Sequence, residues 1–152
     1  MTTNIPLPSN FEAEMIRAVK YEFELIRAVV EQAPDAIIVT NDAGDIRIWN
    51  NRAVEIFGFS VREALEGGLN LIIPEYLRPA HWRGFHEAVT AGKTKSKGRP
   101  VLSRAVHKSG KKLYVELSFA ILVDKGGKAL GALAIARDVT ETRLTGAAQQ
   151  KQ

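Results

Sequence analysis

The spacing of apolar residues divides the chain into a mainly helical first part and a strand-rich last part. Residues 11–33 contain no Gly or Pro, and their apolar positions recur at alternating intervals of three and four residues. This spacing is typical of a coiled-coil seam, although it is shorter than the three to four heptads that define one. The seam positions are Ile16, Val19, Phe23, Ile26, Val30 and Ala33. The pattern predicts a flanking helix that either joins a second copy or packs on its own domain, and Pro34 ends it.

Two short strands and two short helices are predicted next. Apolar and polar positions alternate over residues 36–49, with turn residues at Asp42-Ala43-Gly44, and this combination indicates a β-hairpin. Residues 52–59 have the pattern of a short helix. Ser60 and Glu63 have the spacing of a capping box, which predicts the start of a second short helix.

The segment from Pro74 to Gly92 predicts a longer helix. Pro followed by an acidic residue suits a first helical turn, and Gly suits the C-terminal stop. One face of this helix is apolar or small except for His81. That face holds Leu77, His81, Gly84, Phe85 and Ala88. A histidine on an apolar face is either a satisfied core residue or a ligand.

After Gly92 the pattern changes to a period of two, which predicts three strands joined by turns. The predicted strands span residues 101–107, 113–122 and 129–139. Five strands with the helices gathered on one side make an α+β fold, an antiparallel sheet with short helices on one face and an N-terminal flanking helix. The helices must then cover the apolar face of the sheet. His81 is expected to point into the gap between them, where a cavity is most plausible.

Composition narrows the chemistry. The chain has 152 residues, of which 45% are hydrophobic and 25% charged, as expected for one globular domain. The absence of cysteine excludes disulfides, thiolate metal sites, c-type haem attachment and cysteinyl photochemistry. The net charge is only +4, and the one cationic cluster, residues 93–99, lacks interleaved aromatic residues. We therefore expect no nucleic acid partner.

Membrane association and catalysis are not predicted either. No apolar run approaches the length of a membrane span, and residues 1–10 resemble a disordered lead-in rather than a signal peptide. We expect a cytoplasmic protein with no membrane partner. The sequence shows no nucleophile with a base, no phosphate-binding Gly loop and no paired carboxylates, so we expect no enzymatic activity.

The ordered sequence blocks resemble those of PAS domains over about residues 25–142. The blocks are AIIVTNDAGDIRIWNNRAVEIFGFSVREALEG, LIIPE, HKSGKKLYVELSFAIL and GALAIARDVTE. In this family Trp49-Asn50 closes the second strand, and Asp138-Val139-Thr140 leads into an output module. The resemblance implies a PAS fold and a sensory or dimerisation module. It also implies a division of the chain. That division is a lead-in at 1–10, a flanking or dimerisation helix at 11–33, a PAS core at 34–139 and an output linker or tail at 140–152.

The segment Pro74 to Gly92 further resembles the haem-binding PAS domains of rhizobial oxygen-sensor kinases. Those domains carry a Pro-Glu pair, a haem-ligating histidine six residues beyond the Glu, and a Gly eleven residues further on. Glu75, His81 and Gly92 reproduce both spacings. The resemblance implies that His81 is the proximal ligand of a haem b iron.

The same resemblance assigns the remaining pocket residues. The apolar walls would be Leu77, Phe85, Leu117, Phe119 and Ile121, with Leu117 and Phe119 on the gas-binding side. The propionates would meet basic residues among Arg83, Lys95, Lys97 and Arg99. Those kinases place an arginine on the first strand after the helix. Here Val101 has that place, and Arg99 lies two residues earlier on the same predicted strand face. The gas, O2, CO or NO, is left open.

Alternatives to a haem sensor also remain open. The chain is compatible with a cofactor-free PAS module for dimerisation or signal relay, or with a PAS domain that binds flavin or another small ligand. In each case we expect a homodimer through residues 11–33. We also expect an output kinase or other effector, in cis or in trans, that receives the signal through residues 11–33 and 138–145. The chain is compatible with a piece of a longer protein or with a stand-alone regulator.

Overall fold

The computed structural model describes residues 9–150. In chain order the elements are α1 (Ser9–Glu31), β1 (Ala36–Asn41), β2 (Ile46–Trp49), α2 (Asn51–Phe57), α3 (Val61–Gly67), α4 (Arg78–Ala91), β3 (Val101–Val106), β4 (Lys112–Val123), β5 (Ala129–Asp138) and α5 (Thr140–Gln149). Two single turns of 3-10 helix, Leu69–Leu71 and Glu75–Leu77, precede α4. Of the lead-in predicted at residues 1–10, positions 1–8 lie outside the described residues, and Ser9 begins α1.

The five strands form one antiparallel sheet in the order β2-β1-β5-β4-β3. This arrangement confirms the α+β fold that the alternating pattern predicts. The β1-β2 hairpin and the three-stranded meander β3-β4-β5 join where β1 pairs with β5. One cross-strand row runs through Ala36, Ala136, Leu117 and Val101. This row connects the start of β1 to the edge strand β3.

The inner face of the sheet is covered by α2, α3 and α4. Inward-facing residues of β1 alternate with half-exposed ones, as the period of two predicts. At the β2 end the core is filled by aromatic rings, and the centroids of Trp49 and Phe57 lie 5.4 Å apart. Both side chains are almost fully buried. This half of the helix–sheet interface is a conventional packed core.

Asn50 joins three elements at the edge of that core. It caps α2 by accepting a hydrogen bond from the Ala53 N–H at 3.1 Å, and it also accepts from the Ile37 N–H at 2.9 Å. Its amide donates to the carbonyl oxygens of Val30, at 2.8 Å, and Asp35, at 3.1 Å. The side chain is fully buried. The end of α1, the start of β1 and the start of α2 are therefore held at one point.

The predicted helix from Pro74 begins later than expected. Residues Glu75–Leu77 form a 3-10 turn, and the α-helix starts at Arg78. Pro79 explains the shift, because it occupies the first turn, where its missing N–H costs nothing. The C-terminal stop is as predicted, since Gly92 adopts a left-handed conformation with φ 70°.

The flanking helix α1 projects away from the domain. Every side chain from residue 10 to residue 27 is exposed. The seam residues Ile16 and Phe23 are 64% and 67% exposed. The helix ends at Glu31, so Ala33, predicted as its last seam residue, lies beyond it. None of the described helices is long and apolar enough to cross a membrane.

Candidate functional site

Two adjoining cavities lie between α4 and the sheet. The outer cavity has a volume of about 600 Å³ and is bordered by α4, the loop after it and the far end of β4. The inner cavity has a volume of about 200 Å³ and reaches toward β1 and the packed core. Both are lined by His81, Phe85, Val101, Phe119 and Ala132. Because they share these walls, they form one site with two chambers.

Small side chains on both walls leave this space open. The inner face of β5 carries three alanines, Ala132, Ala134 and Ala136, at a period of two. On the opposite wall, α4 presents Gly84 and Ala88, and α4 contains no fully buried residue. Side chains of this size cannot fill the gap between a helix and a sheet at the density of a packed core. The cavity is therefore a consequence of the sequence on two separate elements.

The N-terminal half of α4 is fixed to the preceding turns. Arg78 donates from Nε to the Ile73 carbonyl oxygen at 3.1 Å and from Nη2 to the Asn70 carbonyl oxygen at 3.0 Å. Trp82 Nε1 donates to Asn70 Oδ1 at 2.9 Å. A Cβ at Gly44, where φ is 93°, would lie 2.5 Å from the Trp82 ring. Gly44 therefore has both a backbone and a steric reason to be glycine.

His81 is half-buried on the cavity face of α4. Its Nδ1 is buried and makes no hydrogen bond to the described residues. Burial lowers the pKa of the imidazole below its ordinary value of 6.5, because the charged form loses hydration. Its ring lies edge-on to Trp82, with centroids 4.9 Å apart, and stacks toward Phe85 at 6.4 Å. The site therefore holds a neutral imidazole with unused hydrogen-bonding or ligating capacity.

The structure brings together seven of the eight site residues that the sequence predicts. These seven line one or both cavities: Leu77, His81, Phe85, Val101, Leu117, Phe119 and Ile121. The eighth, Arg99, borders neither cavity; its Nε donates to the Ser96 carbonyl oxygen at 3.2 Å. The prediction that Arg99 shares a strand face with Val101 is wrong. β3 begins at Val101, and Pro100, which cannot donate a ladder hydrogen bond, separates the two.

Of the basic residues predicted to meet a ligand's acidic groups, some border the cavity and others do not. Lys95 and Lys97 border the outer cavity, whereas Arg83 and Arg99 do not. Lys93 and Glu87 border it as well, although neither was predicted as a site residue. Their position depends on how the loop after α4 folds back, which no periodic pattern encodes.

Two further features were missed. The alanines of β5 could have been recognised from their period of two on a central strand. Thr40 of β1 lines the inner cavity, and its Oγ1 is buried without a hydrogen-bond partner among the described residues. The described residues contain no group of three or more His, Cys, Asp or Glu side chains suited to a metal ion.

The comparisons with known proteins identify the family. A sequence profile of the PAS fold matches residues 24–139. This chain belongs to the PAS family. The match confirms the resemblance drawn from the sequence blocks and covers the sheet, α2, α3 and α4. The PAS domain is thus a sensory module of signal transduction.

One curated relative is a bacterial sensor protein. The PAS domain is 34% identical over 56 residues to the sensor protein FixL of Bradyrhizobium diazoefficiens. The aligned stretch is 37% of this chain and only 11% of that protein. The alignment thus agrees with the resemblance without extending to the whole relative.

Solved structures share the fold. A PAS domain from Colwellia psychrerythraea superposes with a TM-score of 0.68 at 24% identity, covering 79% of this chain and 98% of that chain. An RNA-binding light-oxygen-voltage receptor superposes with a TM-score of 0.65 at 18% identity, covering 93% of this chain and 38% of that chain. At these identities the structures establish the architecture alone.

Proposed function

We propose that this PAS domain binds haem b through His81 and senses a diatomic gas, O2, CO or NO. The observation that supports this most is the neutral imidazole of His81, with its orphaned Nδ1, on the wall of an apolar cavity of about 600 Å³. When bound, haem supplies an iron that takes one protein ligand and leaves a position for a gas. The proposal rests on this chain's own residues and on the partial match to FixL.

The cavity walls have the chemistry that a flat apolar macrocycle requires. Phe85 on α4 faces Phe119 and Ile121 on β4, and all three line the outer cavity. Ligand sites of this kind bury most of an apolar ligand and use few polar groups to orient it. Lys95 and Lys97 at the rim are placed to meet acidic substituents. The residues therefore fit the group.

His81 can act as a ligand because its pKa is lowered. A protonated imidazole has no lone pair to offer, so a metal competes with the proton for it. Burial in the helix–sheet gap keeps His81 neutral near pH 7. The apolar residues Val101, Leu117 and Phe119 on the sheet side would exclude water from the gas position. Neutral diatomic gases suit such a surface better than ions do.

A movement of β4 would reach both flanking helices. Leu117 pairs with Ala136, and Ala136 pairs with Ala36 at the start of β1. At the other junction, Thr140 Oγ1 accepts a hydrogen bond from the Tyr114 N–H of β4 at 3.0 Å. Because α1 and α5 both leave the sheet beside this row, a shift of the cavity wall would reorient them together. We infer that residues 11–33 and 138–145 carry the signal to an output kinase or another effector, in cis or in trans.

The exposed seam of α1 supports a homodimer through residues 11–33. A helix with an apolar seam and no partner in its own domain is stabilised by a second helix. The charge-introducing variant Ile26→Glu should remain monomeric at concentrations where the wild type sediments as a dimer. A wild type that stays monomeric throughout a micromolar concentration series would contradict the dimer and leave the cavity proposal untouched.

The haem proposal is tested by the visible absorption spectrum of the purified protein, reduced and oxidised, with and without added haemin. We expect a sharp Soret band that is lost in His81→Ala. The matched control is His86→Ala, one turn further along α4 and exposed, which should keep the band. A colourless wild type in excess haemin would refute haem binding and favour a cofactor-free relay in which His81 packs against Trp82 and Phe85. A yellow flavin spectrum would identify a different occupant of the same cavity.

A further inference from the structure

The mouth of the outer cavity carries an ion pair between α4 and the loop that follows it. Lys95 Nζ lies 3.1 Å from Glu87 Oε2, and both residues border the cavity. Their side chains are largely exposed, at 92% for Lys95 and 51% for Glu87. An exposed pair of this kind is weak and exchanges readily with other ions. It spans the opening without sealing it.

The loop presents its lysines together on the outer side of this opening. Lys93, Lys95 and Lys97 are exposed, whereas Thr94 and Ser96 between them are half-buried. Left-handed backbone occurs at both ends of this segment, with φ 70° at Gly92, 52° at Lys97 and 75° at Gly98. Lys97 is the sole non-glycine residue with positive φ in the part of the chain that the structure describes. All three lysines border the cavity that Glu87 also borders, and Lys95 is the one paired with Glu87 among the described residues.

The charges at the mouth contrast with the apolar interior. Phe85, Phe119 and Ile121 line the same cavity just inside the lysines. An ion buried among these side chains without a partner would be strongly disfavoured. A ligand that satisfies both regions has an apolar body and an anionic group at one end. Glu87 competes with that group for Lys95.

We propose that the mouth of the cavity selects amphipathic anions, and that Glu87 acts as a competing latch on Lys95. The ligand's anionic group replaces the Glu87 carboxylate, while Lys93 and Lys97 add to the local positive potential. The inference deepens the proposed function, because it uses the same cavity, but it does not depend on the occupant being haem.

The test uses a fluorescent amphipathic anion, 8-anilinonaphthalene-1-sulfonate, titrated into the whole protein. Lys95→Gln should weaken its binding by about two- to five-fold, and Glu87→Gln should strengthen it by a similar factor. The control is Lys108→Gln. It breaks an exposed ion pair away from the cavity, in which Lys108 Nζ lies 2.8 Å from Glu63 Oε1, and it should leave the affinity for the probe unchanged. Added salt should reduce the wild-type affinity and have less effect on Lys95→Gln. Ala132→Leu, which projects into both chambers, should weaken the binding of the probe and so locate it.

A neutral probe of similar shape, N-phenyl-1-naphthylamine, should bind the wild type and both mouth variants equally. If the sulfonate shows the same affinity in all variants, or if the neutral probe follows the same order, the latch is refuted. Comparing haemin with its neutral dimethyl ester separates the two proposals. If haemin binds with the same affinity after esterification and after Lys95→Gln, the latch is refuted and the haem proposal stands. If sulfonate binding depends on Lys95 and Glu87 as expected but added haemin gives no Soret band, the latch stands and the haem proposal is refuted.

Discussion

The two halves of the helix–sheet interface differ although one strand runs through both. On β4, Leu113 and Val115 are 3% and 1% exposed, whereas Leu117, Phe119 and Ile121 further along the same face are half-exposed. The alternating pattern is identical in the two segments. The pattern therefore determines which face of the strand turns inward, but not whether anything fills the space above it.

The difference comes from what the helices bring to each half. Over the packed half, α2 contributes Ile56 and Phe57 to the core. Over the open half, α4 contributes Phe85 together with His81 and the small residues Gly84 and Ala88, and none of its residues is fully buried. A helix that is fixed at its N-terminal end but not packed along its length is suited to moving when a ligand enters. The packed half supplies stability, and the open half supplies the site.

The largest predicted effect is a difference in stability between two substitutions, one in each half. Ala53→Leu inserts a larger side chain where Ala53 is fully buried, and should lower the free energy of unfolding by about 1–3 kcal/mol. Ala132→Leu extends into cavity space and should leave the stability unchanged or raise it. Urea denaturation of both variants, monitored by circular dichroism, measures the contrast.

For ligand binding, the same two substitutions should have the opposite order of effect: the one in the open half should be the more damaging. Ala132→Leu should strongly reduce pigment uptake from added haemin, because residue 132 lines both chambers and the larger side chain projects into them. Ala53→Leu, if folded at the assay temperature, should keep it. Equal destabilisation by the two substitutions would show that the open half is packed in solution, and would contradict the distinction between the halves.

Much of this architecture could be predicted from the sequence because it is encoded locally. The hairpin turn at Asp42-Ala43-Gly44, the Ser60 cap and the period of two in β4 each specify an element through neighbouring residues. The Ser60 hydroxyl accepts from the Glu63 N–H at 3.1 Å, as the capping box predicts. The face of α4 that holds His81 and Phe85 is also the face that lines the cavity.

The features that could not be predicted depend on specific contacts, some between neighbouring segments and some between residues distant in sequence. The start of α4 shifted because Pro79 and the contacts of Arg78 with the Ile73 and Asn70 carbonyl oxygens decide where the helix begins. The cavity volume depends on the alanines of β5, some fifty residues after His81. Arg99 was predicted to lie on β3, but the strand begins after Pro100, and where a strand begins depends on its pairing with the neighbouring strand. Propensity and periodicity carry no information about such contacts.

The smallest predicted effect is a pH dependence confined to the open half. The folded protein lowers the pKa of His81 below 6.5, so below that pH the unfolded chain takes up a proton more readily than the folded one. The free energy of unfolding should therefore fall as the pH drops from about 6.5 toward the lowered pKa. Well above pH 6.5 this group should have no effect on it.

Urea denaturation at pH 7.5 and pH 5 measures this dependence. His81→Leu should lose less stability than the wild type on acidification, because the variant has no imidazole to protonate at that position. Ile56→Val in the packed half should cost about 0.5–1.5 kcal/mol at both pH values, since no titratable group is involved. His86→Leu, on the exposed side of α4, should follow the wild type. Parallel pH profiles for the wild type and His81→Leu would mean that the imidazole is fully hydrated, and the open half would then be open to bulk water rather than a ligand cavity.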